Sequence, residues 1–181
     1  MSTHSENEPD NRDNIPSNDI PSGDIPTKGH FLELKVPPAV VFVLFSLLFW
    51  IINTWFPVFD VDIPFRLALV LFLTGTALLV GLWSIWLFYR NGTTVHAHKP
   101  RDTVRLITTG PYKHSRNPMY LSLSMVLIAQ AIFLTDLLAL MLMPAFFAYM
   151  NRFQIMPEER IMHRKFGKRY EDYADKTPRW L

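Results

Sequence analysis

Four stretches of this chain are apolar enough to leave water: Pro38 to Phe56, Phe65 to Tyr89, Met119 to Leu134, and Leu137 to about Met150. No lysine or arginine interrupts their interiors, Arg66 standing at the very edge of the second. A bilayer core asks for about 20 helical residues, so the first two qualify unaided. The last two are short and are expected to form a tight hairpin turning near Asp136, with a buried soluble hairpin as the alternative. The expected fold is all-α, a polytopic membrane helical bundle of about four transmembrane helices with amphipathic helices after it. Composition agrees: 49% hydrophobic residues in 181 is too many for an ordinary soluble domain. The chain has no cysteine, which excludes disulfide, thiolate-zinc and cysteine-nucleophile chemistry.

Charge divides the chain. Residues 1–35 hold three Lys/Arg against seven Asp/Glu, leaving the remainder at +6 on the same count. Within residues 1–30 a short phrase recurs (Asn14-Ile15-Pro16-Ser17, Asp19-Ile20-Pro21-Ser22, Asp24-Ile25-Pro26-Thr27), too polar and proline-rich to bury a core, so this acidic tail is expected to be disordered. It lacks the basic start and cleavage site of a signal peptide, so the first span is expected to stay in the mature protein. Residues 31–181 then form one membrane-embedded domain. Basic residues near spans are retained in the cytoplasm. Here Arg90, Lys99, Arg101, Arg105, Lys113 and Arg116 lie between the second and third spans, and Arg152, Arg160, Arg164, Lys165, Lys168, Arg169, Lys176 and Arg179 follow the fourth. The loop between the first and second spans carries Asp60 and Asp62 instead, ahead of Arg66. An integral membrane protein with both ends cytoplasmic is the self-consistent arrangement.

In the second span Gly75, Ala77, Gly81 and Ser84 offer small surfaces, with Ala77 and Gly81 four apart on one face. Close packing against the first span is the economical expectation, and a homodimer contact stays open.

The polar chemistry gathers in two regions that this topology places at one face. In the first, Gly110-Pro111 marks a turn and Pro118 suits the first turn of span three, clustering Arg116, Asn117 and Tyr120 at a helix start. Unpaired backbone donors, a positive dipole end and the Arg116 fork would seat an anion there. Topology and interfacial anchoring explain the same residues equally well. In the second, Pro157 suits the start of a new helix whose dipole Glu158 and Glu159 complement. The sharper reading gives the glutamates an ammonium or ribose hydroxyls to hold, with Arg152 facing the same cavity. Beyond them Met162, Phe166, Tyr170 and Tyr173 form one apolar stripe among charges, an amphipathic helix that Gly167 can break. His96 and His98 do not share a helical face, and no metal site is expected from them.

With these residues in hand, the chain resembles the membrane methyltransferases that include isoprenylcysteine carboxyl methyltransferases and phospholipid (phosphatidylethanolamine) methyltransferases. The resemblance runs from about Gly92 to Leu181. It rests on Gly110-Pro111-Tyr112 with Ser115-Arg116-Asn117-Pro118-Met119-Tyr120, similar to the family's Arg-His-Pro-x-Tyr-x-Gly, and on Glu158-Glu159 with Phe166-Gly167-x-x-Tyr170-x-x-Tyr173 and Pro178-Arg179-Trp180. Asn117 stands where His is usual and Ser122 where Gly is usual, a form closer to the phospholipid branch.

The resemblance implies S-adenosylmethionine as donor, held by His98, Gly110, Tyr112, Arg116, Asn117, Tyr120, Glu158 and Glu159, with a lipid or lipid-like acceptor entering from the bilayer. Arg152 and Glu159 are the catalytic candidates it implies, Arg152 orienting a carboxylate acceptor or Glu159 taking a proton from an amine. Membrane and small-molecule lipid are the expected partners, and no nucleic acid is. An NADPH-dependent sterol or steroid reductase of similar architecture and a non-catalytic membrane adaptor are the alternatives.

Overall fold

The computed structural model describes residues 33–55, 63–91 and 105–181. The acidic tail, the loop bearing Asp60 and Asp62, and His96 and His98 lie outside the described residues. Among the described residues the regular elements are all helical.

Helix α1 is Pro38–Trp55 and α2 is Arg66–Arg90. Both are long and apolar enough to cross a membrane. Their outward side chains decide their environment: Leu44, Ile51, Leu71, Phe72 and Leu79 are each more than half exposed. A core helix of a soluble protein would bury them, whereas hydrocarbon solvates them and leaves only the backbone to satisfy itself, which a helix does internally. Stray hydroxyls are absorbed the same way: Ser84 donates to the Val80 carbonyl at 2.7 Å and Thr76 to Phe72 at 2.8 Å.

Helix α3, Pro118–Leu134, is the hub on which α1 and α2 pack. Where α2 meets it, a Cβ added to Gly81 would stand 3.0 Å from Ser122 Oγ. The small pair thus joins α2 to α3, and the expected approach of this face to the first span is corrected. Small residues announce that a backbone comes close but carry no label for which one. On the other side, Ser46 donates to Gln130 Oε1 at 2.8 Å while Gln130 Nε2 donates back to the Ser46 carbonyl at 3.0 Å. Asn53 Nδ2 then takes the Leu134 carbonyl at the end of α3. These bonds fix the register of α1 on α3. Gln130→Leu is expected to cost about 0.6–2 kcal/mol, with the part due to the Ser46 Oγ bond shared with Ser46→Ala in a double-mutant cycle of unfolding in mixed micelles.

The expected turn falls where the sequence marks it. Thr135 is left-handed (φ 54°) and Asp136 caps helix α4, Leu137–Met141, by accepting from the Leu138 and Ala139 amides. Helix α5, Met143–Met150, carries Pro144 at its start, and the missing N–H separates it from α4. The fourth apolar segment is therefore two short helices, and it does not stop at Met150. It continues through a π-helical segment, Asn151–Ile155, directly into α6, Met156–Phe166. Pro157 explains the wide turn: its ring crowds the carbonyl four residues back and supplies no donor for it. The Phe153 carbonyl, to which Pro157 has no N–H to donate, accepts the Leu34 amide at 3.0 Å. Gly167 (φ 50°) ends α6 as expected and α7, Lys168–Lys176, follows. Phe49, Leu127, Phe146, Met150 and Ile155 form the fully buried centre where α1, α3, α5 and the π segment converge.

Candidate active site

Residues 110–113 make a single 3₁₀ turn whose side chains pack back on the end of α2. Gly110 is required there twice over. Its φ is +62°, and an added Cβ would meet Leu87 Cδ1 at 2.8 Å and the Trp83 ring at 3.3 Å. Gly110→Ala is therefore expected to lower stability by about 1–3 kcal/mol, read as a fall in melting temperature, because strain and overpacking add. Tyr112 is buried beside Phe88, ring centroids 5.6 Å apart, and its carbonyl accepts the Tyr173 hydroxyl at 2.6 Å. Burial, then the neighbouring Tyr173, holds its phenol well above the ordinary value, and the more distant Glu158 adds to this.

Four residues on, the chain enters α3, and Arg116, Asn117 and Tyr120 sit at its start as the prolines predict. Their partners come from α6, and from beyond α7. The Tyr120 hydroxyl donates to Glu158 Oε1 at 2.5 Å. Arg116 Nη1 lies 3.3 Å from Glu159 Oε1. Arg179 approaches the same carboxylate from the other side, Nη2 to Oε2 at 2.6 Å and Nε to Oε1 at 3.1 Å. The stretch before α3 and the acidic pair after the π segment thus meet in one cluster, at the end of the bundle where α1 begins and α2 ends.

The two glutamates live in different electrostatic surroundings. Glu159 is flanked by two guanidiniums. Glu158, among the described residues, has no cationic partner; a neutral phenol, that of Tyr120, bonds it instead. Burial pushes its carboxyl up to about 8, the Tyr120 bond pulling down and the charge of Glu159 adding to the rise. Tyr170, near Arg116 on the α7 side, is pushed up to about 12, chiefly by burial and then by Glu159. Arg116 keeps one buried donor, Nε, with no hydrogen-bond partner.

Of the residues expected in the site, Tyr112, Arg116, Tyr120, Glu158 and Glu159 converge. Gly110 serves as the turn that packs them on α2. Asn117 is turned to the chain terminus, its Nδ2 donating to the Arg179 carbonyl at 3.0 Å. Arg152 lies on the π segment with Nη1 2.7 Å from Glu33 Oε1, next to Arg160, which pairs with the other oxygen. Its guanidinium also stands over Phe153, so Glu33 and Phe153 are the partners that Arg152 meets. Arg179 is the site residue that the sequence reading misses, although Pro178-Arg179-Trp180 belongs to the second motif.

Residues 64–169 match the sequence pattern of the phospholipid methyltransferase family. The chain belongs to that family. The matched region begins just ahead of α2, earlier than the motifs alone indicate, and takes in α2, α3 and both glutamates. An uncharacterized protein of Haemophilus influenzae is 41% identical over 63 residues, 35% of this chain and 100% of that protein. No solved structure matches. Membership in the phospholipid methyltransferase family makes lipid methyl transfer the reaction class and the bilayer the setting, in keeping with the two lipid-exposed helices.

Proposed function

We propose that this phospholipid methyltransferase family member moves the methyl group of S-adenosylmethionine to a lipid or lipid-like amphiphile, with an amine headgroup or a prenyl carboxylate as acceptor, at the cytoplasmic face of its membrane. The observation that carries this reading is the meeting of Arg116 with the Glu158–Glu159 pair. The residues fit the donor's chemistry. An unpartnered buried guanidinium donor on Arg116 suits a carboxylate, and a carboxylate without a cation on Glu158 suits an ammonium. Tyr112 and Tyr120 supply apolar walls beside them.

The donor supplies an electrophilic methyl on a sulfonium, which leaves as a neutral thioether when the acceptor takes the methyl. What this chain adds is alignment and exclusion of water. For an amine acceptor a proton must also depart. Glu158 suits that role better than Glu159, because both oxygens of Glu159 are already bonded by arginines. Arg152, held on Glu33, would orient a carboxylate acceptor only by exchanging that partner.

Four crossings accompany this reading. Leu34 bonded to Phe153 joins the segment before α1 to the end of the fourth apolar stretch, so an even number of passes lies between them. From Leu137 to Ile155 the helical rise of about 1.5 Å per residue gives roughly 28 Å, close to the hydrocarbon thickness. The basic residues gathered at that same end make it the cytoplasmic one.

The deciding experiment incubates purified full-length protein with methyl-labelled S-adenosylmethionine and a total lipid extract. Label in a chloroform-soluble species, identified by mass, is the expected result. Label confined to water-soluble products, or none without added protein partners, rejects a lipid acceptor.

A further inference from the structure

Arg179 lies ten residues past the family-matched region, in the last few positions of the chain, where an untied segment frays. This one is tied from Thr177 to Trp180. The Pro178 carbonyl accepts the Arg116 amide at 2.9 Å. The Arg179 carbonyl accepts Ser115 Oγ at 3.3 Å and Asn117 Nδ2 at 3.0 Å. Trp180 donates to Asn151 Oδ1 at 3.1 Å and sets its ring edge-on to Phe147 at 4.9 Å. Thr177 is buried. Arg179 alone uses both of its ends, gripping the start of α3 with its backbone and Glu159 of α6 with its side chain.

The consequence falls on Arg116. Glu159 is shared by two guanidiniums, and the fork from Arg179 takes both oxygens at 2.6 and 3.1 Å while Arg116 has the longer contact of 3.3 Å. A carboxylate saturated by one arginine leaves the other free to turn its remaining donors to a ligand. Without Arg179, Glu159 would draw Arg116 into a close pair and, with one cation fewer around it, set more net negative charge beside Glu158. We propose that Arg179 is a positioning residue for methyl transfer, which saturates Glu159 so that Arg116 stays available to the donor's carboxylate. The inference rests on the donor site proposed above.

The test measures S-adenosylmethionine binding by calorimetry and steady-state kinetics for full-length wild type, Arg179→Gln and Arg179→Lys. Arg179→Gln is expected to weaken donor binding about tenfold or more, the loss falling on donor KM with kcat changed little, since a fork to a carboxylate is at stake. Arg179→Lys, which keeps the charge and every backbone tie but not the fork, is expected to fall between. In the ligand-free Gln variant, the pH at which Glu158 gives up its proton moves upward, seen in melting temperature against pH. Purely architectural anchoring would leave that profile unmoved. Wild type that binds no donor sinks the site reading, and this inference with it. Wild type that binds while Arg179→Gln binds equally well overturns the inference alone. Where the Gln variant does not fold, Arg179→Lys with wild-type affinity overturns it just as firmly.

Discussion

Glu158→Gln is expected to lower methyl transfer by about a hundredfold or more, a loss of roughly 2.7 kcal/mol or more in transition-state stabilisation, while the protein stays folded. The substitution keeps the shape and lets Tyr120 donate as before, so packing at the head of α3 is preserved. What it removes is the one carboxylate of the cluster that has no cation of its own among the described residues. A cationic ligand loses its counter-charge, and an amine acceptor loses its proton acceptor. Glu159→Gln would act differently, by releasing two arginines at once.

The same residue sets a pH dependence whose sign can be worked out. The Glu158 carboxyl is raised from 4.5 to about 8 in the folded protein. The folded form therefore holds that proton more tightly than the unfolded one. The stability this contributes is complete below about 4.5 and is lost as pH rises through about 8. Ligand-free protein should melt at progressively lower temperature across that window. Saturating S-adenosylmethionine should flatten the slope, because a cation favours the ionised form, and donor affinity should climb over the same range. In Glu158→Gln both slopes should vanish. A wild-type affinity that is level from pH 6 to 9 would remove Glu158 from donor binding.

Much of this arrangement is legible in the sequence. Helix starts at Pro118 and near Pro157, the turn at Asp136 and the break at Gly167 are local events, set by a missing donor, a capping carboxylate and a left-handed backbone. The meeting of Arg116 with the glutamate pair is foreshadowed by the basic residues that flank both segments, which the positive-inside rule assigns to one side. What escaped was partnership at long range. Nothing in Arg152 tells that Glu33, more than a hundred residues earlier, will claim it. Nothing in Gly81 tells α3 from α1. The π segment escaped for another reason: the stretch runs from one helix into the next without a breaker before Pro157, and a widened turn is set by contacts such as that of Phe153 with Leu34, far away in sequence.

Arg116 carries the other large expected effect. Arg116→Lys retains a positive charge at the start of α3 and should keep the backbone bond to Pro178. It loses the planar fork and, with it, the buried Nε donor that has no protein partner. A lysine ammonium can satisfy Glu159 but cannot do so while presenting parallel donors to a second carboxylate. Donor KM is expected to rise about thirtyfold for Lys and about a hundredfold for Ala, with kcat reduced less, because the interaction is made in the ground state as well as the transition state. Stability should separate the two variants in the opposite sense from a simple loss of charge. Arg116→Ala leaves Glu159 to the Arg179 fork alone, a pair that remains well satisfied, so its melting temperature should fall by only a few degrees, equivalent to about 1 kcal/mol. Should Arg116→Ala instead bind S-adenosylmethionine as wild type does, the carboxylate seat lies elsewhere and the buried Nε at the head of α3 takes no part in it.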